Sequence, residues 1–376
     1  MAGHIQDRGN GSYLLVYHVG YDAKGKRIRK TRTVKAKNKS EAKKKLAAFI
    51  TEVEQGEYVA PSNTKFHKFV EVWKKHANKK FAPKTMEMYT YLLDGRVLDA
   101  FSHLKIEDVT HVFINDFMEG LENEGLSTST IQKHHNLLNG IFKLARDNDL
   151  IKKNPMDKVE KVTVKYKAGQ VYNADELKQV YELLDKEPNK QQALISKLAL
   201  KTGMRKGEIL ALQWDDVKTD KNTIHIRHSL SYTKENHYQL KEPKTKGSVR
   251  KIGIPVDLMK ELRKQIAKKR SDRMQAAELW EGGKYYFVFS SDMGKPVHQN
   301  VPSRWLSRFQ KRHELKKIRF HDLRHTFATG LINKGGNVNK ISKYLGHASI
   351  TTTMDIYGHY IEEDREIADL IAEDYN

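Results

Sequence analysis

The stretch FHDLRHTFATGLINKGGNVNKISKYLGHASITTTMDIYGH, residues 320–359, decides how the rest of the chain is interpreted. If a helix begins at its start, His321 and Arg324 lie three residues apart and therefore on one helix face. A guanidinium offers a planar fork of donors to two phosphate oxygens, and a neighbouring imidazole can take or give a proton near pH 7. His347 follows at an expected helix end, and Tyr357 comes ten residues later. The stretch predicts a phosphate-binding site in which Tyr357 is a candidate nucleophile, although an HxxR pair alone is also common on surface helices.

Composition narrows the class of protein. The 376 residues exceed one ordinary domain and fit two or three. Lys plus Arg outnumber Asp plus Glu by 68 to 47, a net charge of +21, which favours nucleic acid before an anionic membrane as partner. We find neither an apolar run of the roughly 18 residues that a membrane span needs nor a signal-peptide core at the start. The absence of cysteine excludes disulfides, thiolate zinc sites and a cysteine nucleophile, and it suits the cytoplasm.

Residues 1–57 are predicted to form a small domain of a β-sheet and a helix. Residues 13–21 and 26–34 alternate like strands, and Ser40 is expected to cap the helix that follows. The excess of basic residues predicts a cationic sheet face that reads a DNA groove, with a solvated basic surface as the alternative. The candidate nucleic-acid contacts in this domain are Lys26, Arg27, Arg29, Lys30 and Arg32.

Residues 63–157 are predicted to form an all-helical bundle, in which Pro83 begins one of the helices. Its aromatic residues keep to the periodic apolar face, so we interpret them as core and not as base-stacking groups. For His134 and His135 a phosphate contact stays open. The segment that follows, residues 157–168, is polar and basic, which predicts a strap between domains that touches DNA. Its candidate contacts are Lys158, Lys161 and Lys165.

Residues 170–376 are predicted to form a third domain of mixed α and β structure, mainly helical. Asn173 is expected to cap its first helix, with acids in the first turn. Gly203 is expected to end an apolar helix, and Arg205 begins the next one. Glu208 follows three residues later on the same face, where its carboxylate can orient Arg205.

A basic segment in this domain, residues 243–248, is predicted to be a hairpin tip. Lys244 and Lys246 lie two residues apart and so share a face of a hairpin, from which either could reach a cleft as a proton donor. Lys246 is also a candidate nucleic-acid contact. The alternative for the whole segment is a solvated turn.

Four motifs and their order resemble the catalytic domain of the tyrosine recombinase family, of the phage-integrase type. The motifs are TGMRKGEILALQW, PKTKGSVRKI, FHDLRHTFAT and LGHASITTTMDIYGH. The resemblance covers residues 173–360 and is looser upstream, where the bundle resembles the family's core-site-binding domain and the head its arm-site-binding domain. It implies that the catalytic residues are Arg205, Lys244, His321, Arg324, His347 and Tyr357.

The resemblance implies a site-specific recombinase that cuts and rejoins DNA through a 3′-phosphotyrosyl intermediate. In it, Lys244 protonates the leaving 5′ hydroxyl and His347 hydrogen-bonds the phosphate. The chemistry needs no cofactor, no ATP and no metal. The expected partners are double-stranded DNA at core and arm attachment sites, a homotetramer on that DNA, a host DNA-bending protein and an excisionase.

Several alternatives remain beside this reading. Tyr360 and Tyr344 are other candidate nucleophiles, and histidines 321, 325, 347 and 359 could in principle hold a metal. The whole chain could also be a non-catalytic DNA-binding regulator or a metal-dependent nuclease. Residues 361–376 hold seven acids and one arginine and are predicted to form an amphipathic helix that packs on a neighbouring subunit or on its own domain.

Overall fold

The computed structural model describes residues 3–21, 24–55, 58, 63–164, 169–234, 238–241 and 249–346. The chain divides into two compact units, Met1–Tyr166 and Lys167–Asn376. The three domain boundaries read from the sequence stay predictions. Across the described residues, every helix is too short or too polar to pass through a membrane.

The first unit begins with a head in which an antiparallel sheet packs on one helix. The sheet has the order β1–β2–β3, and its register pairs His4 with Val16 and Leu14 with Thr33. The elements of the head are β1 (His4–Asp7), β2 (Ser12–Tyr21), β3 (Arg27–Lys35) and α1 (Lys39–Glu54). The hairpin of β2 and β3 is as predicted, whereas the short, polar β1 was not.

Helix α1 begins earlier than its sequence suggested. Asn38 caps it by accepting a hydrogen bond from the backbone N–H of Glu41, so the predicted cap Ser40 is wrong and lies inside the first turn. Asparagine is as effective as serine at this position. The apolar face of α1 buries Phe49 against Leu15 of the sheet, which fixes the helix on one sheet face.

A helical bundle completes the first unit, as predicted. Its helices are α2 (Phe66–Lys80), α3 (Pro83–Leu92), α4 (Leu98–Phe101), α5 (His111–Asn123) and α6 (Thr128–Asp147). A π-helical segment, Leu93–Val97, joins α3 to α4, and 3-10 turns lie at Ile106–Asp108 and Pro155–Lys158. The periodic aromatics are core residues: Phe66, Phe69 and Trp73 are almost fully buried.

The two histidines of α6 are also core residues. His134 and His135 are 1% and 8% exposed, and the Nδ1 atom of His134 is 3.0 Å from the carbonyl oxygen of Thr130, to which it donates. Burial lowers the pKa of both imidazoles, so both are neutral at pH 7. Both side chains face the interior of the bundle, which argues against a phosphate contact by either histidine.

Where it is described, the second unit wraps helices around a central helix and carries two small antiparallel sheets. Its helices are α7 (Ala174–Lys186), α8 (Lys190–Thr202), α9 (Lys206–Leu210), α10 (Val256–Ala276), α11 (Val301–Arg312), α12 (Asp322–Ile332) and α13 (Val338–Leu345). Its strands are β4 (Val217–Lys218), β5 (Thr223–Ile226), β6 (Ser229–Ser231), β7 (Gln239–Lys241) and β8 (Arg250–Gly253), paired as β4–β5–β8 and β6–β7. The 3-10 turns of this unit lie at Trp214–Asp216 and Ala277–Leu279.

Helix α8 is the centre of this unit. Nearly all of its residues are buried, because α7, α9, α10, α11 and α12 contact it from different sides. Its end places the site, since Gly203 stops α8 in the left-handed conformation at φ +62°. Asn173 caps α7 as predicted, in a capping box with Glu176.

We expect the bundle to be sensitive to cavities on α6. Leu138→Ala should lower the free energy of unfolding of this unit by about 2–5 kcal/mol, because it leaves a hole where Leu138 is fully buried. The matched control Val112→Ala, on the exposed side of α5, should change it by less than about 0.5 kcal/mol. Hydrogen exchange of the α6 amides over a urea series measures the free energy of unfolding of both variants. Equal effects of the two variants would contradict this packing.

Candidate active site

Arg205 and Glu208 form the first part of the site. The backbone N–H of Arg205 donates to Oε2 of Glu208 at 2.9 Å, and its Nη1 donates to Oε1 at 3.0 Å. The carboxylate is 4% exposed, while 37% of the Arg205 side chain reaches solvent. The geometry agrees with the prediction that Glu208 orients Arg205, with one end of the arginine held and the other accessible.

A second arginine ties the end of α8 to the end of α13. Nη1 of Arg324 donates to the carbonyl oxygen of Gly203 at 2.6 Å, and its Nη2 donates to the carbonyl oxygen of Leu345 at 2.9 Å. Arg324 is 2% exposed, whereas His321 presents surface to solvent. The two residues therefore lie at one helix start but at different depths, and a direct phosphate contact by Arg324 stays a prediction.

His321 stands at the N-cap position of α12. Burial against the surrounding protein lowers the pKa of His321 to about 4, even though part of the residue remains exposed. The charges of His325, Arg324 and Arg205 push the pKa the same way, and Asp322 opposes them. At pH 7 the imidazole is neutral, and the same lowered pKa makes it a weaker proton acceptor than an ordinary histidine.

A third arginine, Arg250 of β8, is not among the site residues predicted from the sequence. Its Nη1 and Nη2 donate to Oε1 and Oε2 of Glu208 at 3.1 and 3.0 Å, and its Nε donates to the carbonyl oxygen of Tyr344 at 2.7 Å. The available signal was strand alternation, since Arg250 shares the inward face of β8 with the buried Ile252. A basic residue on an inward face calls for a buried partner.

Helix α13 thus ends against arginines. The carbonyl oxygens of residues 344, 345 and 346 accept, in that order, from Arg250, Arg324 and Arg205. The third contact, from Nη2 of Arg205 to the carbonyl oxygen of Gly346, is 3.0 Å long. The final carbonyls of a helix lack partners within the helix and carry its negative dipole end, so guanidinium groups are well matched to them.

Two glycines allow this close approach. Gly346 has φ +69°, and a Cβ atom there would lie 3.0 Å from Nη1 of Arg250. At Gly203 a Cβ atom would lie 2.6 Å from side-chain atoms of both Leu345 and Phe327. A larger residue at either position would be strained and would separate α13 from the arginines.

Burial of Glu208 alone would raise the pKa of its carboxyl. The hydrogen bonds and charge of Arg250, followed by those of Arg205, outweigh that effect, and the net result is a lowered pKa. Glu208 is therefore ionised at neutral pH, and its carboxylate accepts hydrogen bonds from both Arg205 and Arg250.

The remaining predicted catalytic residues, Lys244, His347 and Tyr357, lie outside the described residues, as do Lys246, Tyr360 and the acidic tail. Tyr344 is described: it packs on the core of its unit and donates its hydroxyl to the carbonyl oxygen of Gly253 at 3.1 Å. Its burial raises its pKa, which disfavours it as a nucleophile. Within the described ranges, no group of His, Asp or Glu side chains is arranged to hold a metal ion.

The predicted nucleic-acid contacts in the head divide between the two faces of β3. Lys26, Arg27 and Arg29 are exposed. Arg32 instead faces α1, where it donates to both carboxylate oxygens of Glu52 at 2.7 and 3.0 Å and lies over the rings of Phe49 and Tyr58. Arg32 therefore has a structural role in the head, and a DNA contact by its side chain stays a prediction.

The other predicted contacts include one half-buried lysine and two exposed lysines. Lys30 is half-buried, and its Nζ atom lies over the ring of Tyr58. Lys158 and Lys161 are exposed at the end of the first unit, and Lys165 lies outside the described residues. For the exposed lysines a DNA contact stays a prediction.

Comparison with known proteins gives a consistent result. The model of the Phage integrase family matches residues 170–363, and the model of the Phage integrase SAM-like domain matches residues 65–164. The ICEBs1 integrase of Bacillus subtilis is 28% identical over 362 residues, which cover 96% of each chain. The transposase from transposon Tn916 of Enterococcus faecalis is 25% identical over 72% of this chain and 68% of its own.

Solved structures share the fold. The Tn1549 transposon integrase in complex with transposon right end DNA is 21% identical and superposes with a TM-score of 0.68 over 82% of this chain and 99% of that one. A lambda integrase tetramer bound to a Holliday junction is 18% identical, with a TM-score of 0.58 over 96% of each chain. Together with the matched domain models, this likeness confirms the predicted fold class of strands with a helix, a helical bundle and a mixed, mainly helical domain.

The environment of His321 predicts a measurable titration. Its ring should stay neutral until about pH 4, instead of protonating near the ordinary value of 6.5. Between these values the unfolded chain binds a proton that the folded chain does not. His321 therefore contributes stability that is complete above the unfolded pKa and is lost as the pH falls through the folded pKa. Ring-nitrogen NMR, assigned with His321→Gln, measures this, and titration near 6.5 would refute it.

Proposed function

Because the chain belongs to the phage integrase family, we propose that it is a site-specific DNA recombinase that integrates or excises a phage or mobile element. One observation supports the catalytic proposal most directly. Arg205 and Arg324 both bind the end of α13, directly before His347, and the neutral His321 lies close enough to both arginines for their charges to lower its pKa. This is where a phosphate would meet both an anion-binding group and a base.

The proposed reaction is a phosphoryl transfer to Tyr357. The phenolic oxygen attacks the scissile phosphorus, the bond from phosphorus to the 5′ oxygen breaks, and a 3′-phosphotyrosyl ester forms. Charge builds on the non-bridging oxygens, and positively charged donors held in advance lower the energy of that state. Arg205, held by Glu208 and partly exposed, is suited to this role. Arg324, which is buried, would add its positive charge to the site.

Two proton transfers accompany the attack. A phenol with an ordinary pKa near 10 is a poor nucleophile, so a base must take its proton. The neutral imidazole of His321 is assigned this role, and Lys244 is assigned the donation of a proton to the leaving 5′ oxygen. His347 would hydrogen-bond the phosphate. Lys246 remains the alternative acid.

The same ester explains rejoining. It keeps the free energy of the phosphodiester, so a 5′ hydroxyl of another strand can attack it and reverse the step. The proposed chemistry is therefore complete without ATP, a metal ion or another cofactor.

We further propose that double-stranded DNA is bound at two kinds of site. The bundle and the second unit would bind the core site, and the exposed basic face of β3 would bind arm sites, raising the effective concentration at the core. The Tn1549 integrase is solved with transposon end DNA, and lambda integrase as a tetramer on a Holliday junction. By analogy we propose a tetramer on DNA in the bacterial cytoplasm, assisted by a host DNA-bending protein and an excisionase.

A suicide DNA substrate tests the reaction. In EDTA the wild-type chain should form a covalent protein–DNA adduct, because the proposed step needs no metal. Tyr357→Phe should reduce that adduct below detection, since the attacking oxygen is removed. Denaturing gel electrophoresis of labelled DNA measures the adduct.

The matched control is Tyr360→Phe, which should form the adduct at the wild-type rate. If Tyr360→Phe loses the adduct while Tyr357→Phe keeps it, the nucleophile is misassigned. A wild-type chain that binds DNA but never forms an adduct indicates a regulator. Cleavage that appears on addition of metal indicates a nuclease.

The two faces of β3 give a second test. Arg29→Gln, on the exposed face, should weaken arm-site binding and reduce the slope of log affinity against log salt by about one, while core cleavage is unchanged. Arg32→Gln should leave the salt slope unchanged and instead destabilise the head, because Glu52 loses the two hydrogen bonds from Arg32. Fluorescence anisotropy over a salt series measures the slopes. The reverse pattern would place the DNA on the other face.

A further inference from the structure

Resting on the proposed function, we propose that Arg250 is a positioning residue of the recombination site. Its guanidinium binds Glu208, which holds Arg205, and at the same time binds the last turn of α13, which leads to His347 and Tyr357. One side chain would thereby set the relative position of a phosphate-binding arginine and of the segment that carries the nucleophile.

The contact between Arg250 and Glu208 is a two-point fork. The distances are 3.1 Å to Oε1 and 3.0 Å to Oε2, and the two side chains are 8% and 3% exposed. A bidentate pair fixes the plane and the direction of the carboxylate, which a single hydrogen bond does not. The orientation of Glu208 is thus set from the side of Arg250.

The same two carboxylate oxygens also hold Arg205. Oε1 accepts from Nη1 of both arginines, and Oε2 accepts from the backbone N–H of Arg205 and from Nη2 of Arg250. Rotation of Glu208 would therefore move the guanidinium of Arg205. Without Arg250, the buried carboxylate would keep one arginine and could turn toward it.

The third donor of Arg250 reaches a different element. Nε binds the carbonyl oxygen of Tyr344 at 2.7 Å, and the backbone of Gly346 passes so close that a Cβ atom would lie 3.0 Å from Nη1. Tyr344 precedes His347 by three residues. The point at which the chain leaves α13 is thus fixed to the group that fixes Glu208.

A comparable arginine provides a control. Arg227, next to β5, donates from Nε to Oδ1 of Asp216 at 2.6 Å, and Asp216 is 1% exposed. Its loss would remove one arginine partner from a buried carboxylate, as the loss of Arg250 would. Among the described residues, the hydrogen bonds of this pair reach neither Arg205 nor α13, so it reports general destabilisation without a change in the site.

The experiment compares Arg250→Gln, Arg250→Lys and Arg227→Gln with wild type on a suicide DNA substrate in EDTA. Single-turnover cleavage at saturating DNA gives the rate, anisotropy gives the DNA affinity, and thermal denaturation gives the stability. We expect Arg250→Gln to slow cleavage about 10- to 100-fold, by analogy with the loss of groups that orient metal ligands. DNA affinity should be unchanged. Arg250→Lys should be intermediate, because lysine keeps the charge without the fork. Arg227→Gln should cleave at the wild-type rate.

Coupling to Glu208 is tested by a double-mutant cycle. The combined variant Glu208→Gln, Arg250→Gln should lose less cleavage rate than the product of the two single losses, because both act on the same group. Strictly multiplicative losses would overturn the proposed route through Glu208.

The outcomes separate the inference from the function on which it rests. A wild-type chain without an adduct refutes the recombinase and the inference together. A wild-type adduct with unchanged cleavage in Arg250→Gln refutes the inference alone, and so does an equal rate loss in Arg227→Gln at equal stability. If Arg250→Gln does not fold, Arg250→Lys decides, since a folded lysine variant at the wild-type rate refutes the positioning role.

Discussion

The last carbonyl groups of helix α13 depend on arginines from three other elements. A helix leaves its final carbonyl oxygens without partners, and burying them unsatisfied would be costly. Here Arg250 of β8, Arg324 of α12 and Arg205 before α9 bind three successive oxygens. The end of α13 is therefore the point at which the sheet, the central helix and the start of α12 are joined.

This junction also concentrates charge. The three arginines carry three positive charges and Glu208 carries one negative charge, so this group of four has a net charge of +2. The dipole of α13 offsets part of that excess with partial negative charge. The remaining positive charge lies at the partly exposed end of Arg205. This charge suits the site to an anionic phosphodiester more than to a neutral substrate.

The sequence predicted what is decided locally. The periodicity of α6, the hairpin of β2 and β3, and the caps at Asn173 and Gly203 each depend on neighbouring residues, and each is confirmed. The failures are residues whose environment depends on distant segments. Arg32 is one of them, because its ion pair with Glu52 on α1, 20 residues away, was not predicted from the sequence.

Arg250 shows the same limit at the site. Its partners Glu208 and Tyr344 are 42 and 94 residues away, so its role could not be read from spacing alone. The motif Arg205-x-x-Glu208, by contrast, is closed within one turn and was readable. Local motifs thus identify the groups proposed to meet the phosphate, while the groups that hold them in place come from the fold. The burial of Arg324 fits this division, because a guanidinium at 2% exposure would act on a phosphate mainly through its charge and through the carbonyls that it binds.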